Sequence, residues 1–348
     1  MGGKKLAIIV NCYNYEKYIV EAIESVSLQL LDGCELVVVD DGSTDNSWTL
    51  IQGTGVKCLR KENGGPVSAC VLGLDNTTAR HVLFLDADDK LSSGSLRKIV
   101  GALDEKYSKF QFPLSIIDEK GDEQGRIFPD LSAQKTKNSY IQDISETGAY
   151  VSPPTSGNIF RRDVCDLLRE ASYDTVDGVI LIAAPFMGEI YTFNEALGYY
   201  RVHDKNMSST GRLPSVERLQ YSQERFSNRL EHLKHILSAR KIDHDIIGSR
   251  RNYIYLRDQI YINIVSGEKL TLKQVVELAE YFPKWYGSAR RLMTLSAAIS
   301  MIFLPNRVSK LILRVRLNGR TLLARTAKSI LSYARGAIIR PGRKALHE

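Results

Sequence analysis

Two carboxylates one residue apart, Asp86 and Asp88, close the apolar run His81-Val82-Leu83-Phe84-Leu85, and Asp89 follows at once. Side chains at this spacing, just past a buried strand, can reach one hard cation together, and oxygen ligands suit Mg2+ or Mn2+. Mg2+ is commonly held by one or two carboxylates plus substrate phosphates, so a full protein cage is unnecessary. A plainer reading has Asp88 or Asp89 capping the helix that follows. The neighbouring motifs favour the first. Asn11-Cys12-Tyr13-Asn14 ends an earlier apolar run and offers an aromatic ring on which a base could stack. Asp40-Asp41-Gly42-Ser43-Thr44-Asp45 ends another, with carboxylates able to accept from a base imide or a ribose hydroxyl, and Gly42 permits a sharp turn. Glu62-Asn63-Gly64-Gly65-Pro66 brings a glycine-rich approach to a helix N-terminus, suited to backbone contact with an anion.

These clusters must be positioned by the elements that precede them. Leu6 to Val10 is a continuous apolar run, as a strand buried on both faces should be. Helical spacing follows at Ile19, Ala22, Ile23 and Val26. Leu36 to Val39 predicts a second strand, and Thr44 or Asp45 can cap a helix carrying Trp48 and Ile51. Val56 to Leu59 is a weaker third strand, Pro66 opens the next helix, and His81 to Leu85 is a fourth strand. Ser92 or Ser93 then starts a helix through Leu96, Ile99 and Leu103. Strands alternating with helices predict a mostly parallel sheet with right-handed crossovers, whose ligands gather at strand C-termini. All three polar clusters fall there. Between Phe110 and Ser152 the pattern is less regular, and suggests a strand pair around Asp118-Glu119-Lys120-Gly121 followed by a mobile loop. Val179 to Met187 reads as a helix and Ile190 to Val202 as two short strands around Asn194-Glu195. After about Pro214 the chain reads as helical, with breaks at Gly267, Pro283, Pro305 and Pro341.

In this order and spacing the motifs resemble those of the family 2 glycosyltransferases. These have the GT-A fold, a Rossmann-like, mostly parallel sheet flanked by helices. The resemblance rests on Asn11 to Asn14, Val38 to Asp45, Asn63-Gly64-Gly65 and Leu83 to Asp89. It continues more loosely through Thr155-Ser156-Gly157-Asn158 and Leu197 to His203, covering about residues 4 to 210. It implies a metal-dependent inverting transferase that acts by direct displacement, with Mn2+ or Mg2+ as cofactor. Its donor would be a nucleotide-diphosphate sugar, a UDP-sugar before others, and its acceptor a saccharide or lipid-linked hydroxyl in surface polysaccharide or glycolipid assembly.

The resemblance also implies roles. Tyr13 and Asp41 would contact the base, with Asp40 supporting that turn or reaching the ribose, and Asn11 and Gly65 completing the donor site. Asp86 would meet ribose and metal, and Asp88 would bind metal and diphosphate. Arg201 would pair with phosphate and His203 would lie near the metal, unless it is a structural histidine. Ser156, Gly157 and Asn158 would lie on the acceptor side. Inversion needs one base to take the acceptor proton. Asp177 is the candidate, although capping of a helix beginning near Val179 would also suit it and Asp174 is nearby. The family usually has a Glu-Asp pair here, whereas this chain has Val176-Asp177-Gly178. Cys70-Val71 likewise stands where the family often has an arginine-asparagine step, which leaves the donor more open.

The expected organisation is a catalytic domain over 1–212, with a nucleotide-sugar half to about 105 and an acceptor half from about 106, then a helical region over 213–348. A length of 348 residues with 43% hydrophobic and 25% charged content suits such a globular protein. No run approaches the roughly 20 apolar residues needed to span a bilayer. Leu6 to Val10 is too brief for a signal segment, and five cysteines without a C-x-x-C pair read as reduced, so a cytoplasmic protein is expected. The net charge of +7 is uneven. From Lys284 onward about 14 lysines and arginines face a single acid, Glu348, leaving roughly 33 bases against 39 acids before it. Val308, Leu311, Ile312 and Val315 form an apolar stripe flanked by Arg307, Lys310 and Arg314. Such a helix can lie on an anionic membrane surface, making the protein peripheral, or can pack on the catalytic domain. No nucleic-acid-binding motif accompanies the charge, so nucleic acid is not an expected partner. Two other functions compete with the transferase. One is a non-catalytic nucleotide-sugar-binding or assembly protein, kept in view by the missing glutamate before Asp177. The other, a nucleotidyltransferase, would need a glycine- and lysine-rich phosphate loop that Asn11 to Tyr15 does not supply.

Overall fold

The strand β1 (Leu6–Cys12) is buried along almost its whole length, with Leu6, Ile8 and Val10 entering one core and Ala7 and Ile9 the other. That is the burial an unbroken apolar run requires, because successive side chains point to opposite faces. The computed structural model describes residues 4–132, 135–170, 176–203, 213–283 and 287–318. After β1 come α1 (Ile19–Ser27), β2 (Cys34–Asp40), α2 (Ser47–Gly53), β3 (Cys58–Arg60), α3 (Pro66–Asp75) and β4 (His81–Asp86). On α1 the buried residues are Ile19, Ala22, Ile23 and Val26, the stripe its spacing predicts. Strand β5 (Lys90–Leu91), α4 (Ser95–Ala102), β6 (Tyr107–Gln111), β7 (Leu114–Ile117) and β8 (Glu123–Phe128) follow. Then come α5 (Lys137–Thr147), β9 (Asn158–Arg161), α6 (Arg162–Cys165), α7 (Val176–Met187), β10 (Glu189–Thr192) and β11 (Gly198–Arg201).

The main sheet has the order β10-β6-β9-β4-β1-β2-β3, and a smaller one the order β5-β11-β7-β8. In the main sheet β1 pairs in parallel with β2 and β4, β2 with β3, and β10 with β6, while β9 runs antiparallel to β4 and β6. The protein is therefore an α/β fold with a mostly parallel central sheet flanked by helices. Register decides where the polar clusters meet. Asn11 on β1 stands beside Asp86 on β4, and Cys12 stands beside Asp40 on β2.

One expectation is corrected. The segment after β8 is not simply a loop, because it contains α5. That helix is capped by the Thr136 hydroxyl, which accepts from Ser139 N–H, and it buries Tyr140, Ile141 and Ile144. The two short strands expected around Asn194-Glu195 are present as β10 and β11, and they belong to different sheets. The plainer alternative, in which Asp88 or Asp89 caps a helix, does not hold, since β5 intervenes and α4 begins only after Gly94.

The helix α8 (Val216–Ala239) packs Phe226, Leu230, Leu233 and Ile236 into the core that also holds α5 and α7. Beyond it α9 (Tyr253–Ser266), α10 (Leu272–Glu280), α11 (Ser288–Phe303) and α12 (Asn306–Asn318) share a separate cluster around Ile260, Ile264, Leu278, Met301 and Leu313. Gly267 caps α9 with φ +91°, and Pro305 separates α11 from α12, as their sequence positions predict. Pro341 lies outside the described residues.

Candidate active site

At the end of β4 the chain turns sharply, with Asp89 N–H donating to Asp86 O at 3.0 Å. Ser156 clamps this turn: its hydroxyl accepts from Asp86 N–H at 3.1 Å and donates to Asp89 Oδ2 at 2.6 Å. Asp89 Oδ1 accepts from Arg201 N–H at 3.0 Å. Asp89 is thus fully engaged by the protein and ties the end of β4 to the turn before β9 and to β11. Burial pushes its carboxyl well above the ordinary range, and the charges of Asp88 and Asp86 push it the same way. Asp88 is buried, and its Oδ2 lies 2.9 Å from His203 Nε2, a contact between residues 115 apart in sequence. The His203 ring lies 5.2 Å from Tyr18 and 6.1 Å, edge-on, from Tyr15. The Tyr15 hydroxyl is pushed up by burial and by the negative charge of Asp88, Asp86 and Asp89.

The donor set here is acceptor-rich. Asp86 and Asp88 are joined by Asn11 Oδ1, a buried oxygen beside Asp86 in the ladder that accepts no hydrogen bond among the described residues. Asn11 Nδ2 is directed the other way, to Cys70 Sγ at 2.6 Å. Among the described residues no three His, Cys, Asp or Glu side chains converge to cage a metal ion. A two-carboxylate site of this kind fits a hard cation whose remaining ligands are water and phosphate, the usual habit of Mg2+.

The second cluster is a self-latched turn. Asp41 is nearly inaccessible and accepts from Gly64 N–H at 3.1 Å, Gly65 N–H at 2.8 Å and Lys61 Nζ at 2.8 Å. The glycine amides expected to meet an anion are therefore held by Asp41 in this structure. Asp40 is fully buried; it accepts from Ser43 N–H at 3.2 Å and pairs with Arg60 Nε at 3.2 Å. Gly42 has φ +76°, and a Cβ there would lie 2.7 Å from Asn63 N, so the turn accepts only glycine. Asn14 Oδ1 accepts from Thr44 N–H and Asp45 N–H, which fastens the loop after β1 to this turn. Tyr13 stands beside it with 45% of its surface exposed, free to stack. A cleft of about 500 Å³ bounded by Gly42, Arg60, Lys61, Glu62 and Asn63 opens here.

Residues 7–168 match the family model described as "Glycosyl transferase family 2". This domain belongs to glycosyltransferase family 2. Its relatives include an uncharacterized glycosyltransferase, alr2836, of Nostoc sp. strain PCC 7120, 34% identical over 216 residues, or 58% of this chain and 66% of that protein. The minor teichoic acid biosynthesis protein GgaA of Bacillus subtilis is 35% identical over 104 residues, 27% of this chain and 23% of its own length. The chain thus spans less than two thirds of the length of these curated relatives. The crystal structure of S. aureus TarS 1–349 in complex with UDP-GlcNAc superposes with a TM-score of 0.51 at 17% identity, covering 90% of this chain and 92% of that one. That likeness shows the same fold.

Within the family 2 domain and the strands after it, the remaining candidate residues make the following contacts. Arg201, expected on phosphate, is 1% exposed: its Nε donates to Asp88 O at 2.9 Å, its guanidinium pairs with Glu21, and it stacks on Tyr18 at 4.8 Å. It braces the turn that carries Asp88. Ser156 and Asn158, expected on the acceptor side, are buried, the first under the acidic turn and the second donating to Pro153 O and Pro154 O. Gly157 is packed so tightly that a Cβ would meet Pro153 Cβ at 2.5 Å and Phe112 O at 2.8 Å. Asp177 lies in the first turn of α7 rather than ahead of it, and its side chain is outside what the structure describes. Asp174 lies outside the described residues.

Sequence reasoning missed Glu21, which joins Lys90 to Arg201 from α1. Burial would raise its carboxyl, but those two cations hold it below the ordinary range. It also missed Lys109, buried on β6 and hydrogen-bonded to Gln111, Tyr150 and Ser152 at 2.8–3.0 Å, its amine driven well below its ordinary pKa by burial. Only the rarity of a buried lysine could have pointed to it, and the strand Tyr107–Gln111, which also carries Ser108 and Gln111, gives no local signal of that burial.

Proposed function

We propose that this protein is a metal-dependent, inverting glycosyltransferase that moves a sugar from a nucleotide-diphosphate donor to an acceptor hydroxyl in surface polysaccharide or glycolipid assembly. The observation that carries the reading is the contact of Asp88 with His203 just past β4, in the turn that begins at Asp86, with β1 lying between β4 and the strand that leads to the turn latched by Asp41. The family supports the reaction class. GgaA and the UDP-GlcNAc bound to TarS make a UDP-sugar and a polymer acceptor the first choices to test. Mn2+ or Mg2+ would be held by Asp86 and Asp88, and would neutralise charge on the departing diphosphate. His203 orients the Asp88 carboxylate, Tyr13 stacks on the base, and Asp41 and Asp40 keep the base-side loop in place. Asp177, or Asp174, takes the proton from the acceptor hydroxyl. We assign the catalytic unit to 1–212 and the helical region to 213–348, with α8 joining the two. Five free cysteines, four of them buried, are in keeping with action in the cytoplasm.

The test is release of nucleoside diphosphate from a panel of nucleotide sugars in the presence of Mn2+. Release from at least one donor is expected, with Asp177→Asn slowing it by about 10²–10⁴ while UDP affinity is kept. Binding of UDP without release under any acceptor would favour a non-catalytic nucleotide-sugar-binding protein. Absence of both would end the reading.

A further inference from the structure

The last two described helices carry apolar surface that no part of the active site uses. On α11 Thr294, Ala298 and Met301 are buried, and α12 folds back against it, with Arg316 donating to Met293 O at 3.0 Å and Thr294 Oγ1 at 2.8 Å. The side chains of Leu292, Met293, Ile299 and Phe303 nonetheless stand in solvent, Leu292 at 71% and Phe303 at 80% exposure. Leu292, Ile299 and Phe303 lie seven and eleven residues apart, on one helical face. Leu304, Val308 and Leu311 continue the exposed stripe from the turn along α12. Isolated exposed leucines need no explanation, but a contiguous apolar face of this kind marks a contact surface.

Charge identifies the partner. Residues 287–318 contain Arg290, Arg291, Arg307, Lys310, Arg314 and Arg316 and no acidic residue. Arg307 and Arg314 are exposed and Lys310 is half-buried, all on the helix that bears the second stripe. No helix among the described residues is long and apolar enough to cross a membrane. An apolar stripe fringed by arginine and lysine suits an anionic bilayer surface, where the stripe enters the acyl boundary and the cations meet lipid phosphates. We propose that the α11–α12 hairpin docks the protein on an anionic lipid surface through Leu292, Met293, Phe303 and Leu304, with Arg307, Lys310 and Arg314 at headgroup level. This goes beyond the transferase reading and does not depend on it.

The experiment is co-sedimentation of the full chain with phosphatidylcholine vesicles, with and without a large fraction of phosphatidylglycerol. Two variants accompany it, Leu292→Asp/Phe303→Asp and Arg307→Glu/Lys310→Glu/Arg314→Glu. Leu292, Phe303, Arg307 and Arg314 are exposed and Lys310 is half-buried, and unchanged urea midpoints verify folding. Binding is expected on the anionic vesicles, at least tenfold weaker in both variants and at least tenfold weaker on neutral vesicles. Failure of the wild-type chain to bind would overturn the proposal. So would wild-type binding by both variants, which would transfer the contact to residues 319–348. A dimer in gel filtration that the apolar variant dissolves, with vesicle binding unchanged, would make a second copy of the chain the occupant instead.

Discussion

Replacing Arg201 by methionine separates a structural brace from a phosphate ligand. Methionine keeps much of the stem that packs on Tyr18 but removes every donor of the guanidinium. Asp88 O loses a 2.9 Å hydrogen bond in a buried setting, which costs about 1–3 kcal/mol. Breaking a buried ion pair can cost about 3–5 kcal/mol. The Glu21 side chain is 43% exposed and keeps Lys90, so only a small part of that applies. The carbonyls of Asp118 and Glu119, at 3.4 Å, add little. The backbone N–H that holds Asp89 survives the substitution. The sum is a destabilisation of about 2–4 kcal/mol, read from urea unfolding, with a secondary loss of Mn2+-dependent UDP affinity because the Asp88 turn is less fixed. Calorimetric titration of UDP measures the second quantity. Unchanged stability, within about 0.5 kcal/mol, together with a more than tenfold loss of UDP affinity would refute the brace and place Arg201 on the diphosphate.

Gly157→Ala should destabilise by about 1–3 kcal/mol through overpacking against Pro153 and Phe112 O and should displace the Ser156 clamp; an unchanged urea midpoint would contradict that packing. Asp41→Asn leaves one of the two glycine amides facing an NH2 group, so UDP affinity is expected to fall about tenfold with a loss of about 1.5–3 kcal/mol in stability. Lys109 has a folded-state pKa depressed by burial, so between that value and the unfolded value of about 10.4 the unfolded chain binds more protons. Stability therefore rises with pH across that window, by up to about 1.4 kcal/mol per pH unit, and Lys109→Met should flatten the slope in urea titrations from about pH 7 to about pH 9.5. An equal slope in the variant would mean that Lys109 is charged in the native state.

The parallel half of the sheet was legible because β1, β2 and β4 are buried on both faces and so appear as unbroken apolar runs. Their polar stops are sharp for the same reason, and the Asp40 and Asp86 clusters were correctly assigned to strand ends. The rest is set by tertiary contact. Strand β5 has two residues and exists only because β11 pairs with it. Strand β9 pairs with β4 across 76 to 80 residues of sequence, bringing Ser156 beneath Asp89, and no local pattern encodes that meeting. Arg201 shows the limit most clearly. As a sequence motif it is a cation near an acidic cluster, and only the fold reveals that Glu21, Asp88 O and Tyr18 have already engaged it. The helix α5 was readable in principle from Thr136 and the spacing of Tyr140, Ile141 and Ile144, but its polar composition resembles a loop.

Titration calorimetry of UDP in Mn2+ and in EDTA, on the wild-type chain and on Asp88→Asn, tests the central claim most directly. The assignment of Asp86 and Asp88 to a cation that meets a diphosphate predicts UDP binding that needs Mn2+ and falls by at least tenfold in Asp88→Asn. UDP binding of equal strength in EDTA and Mn2+, undiminished by the substitution, would contradict it.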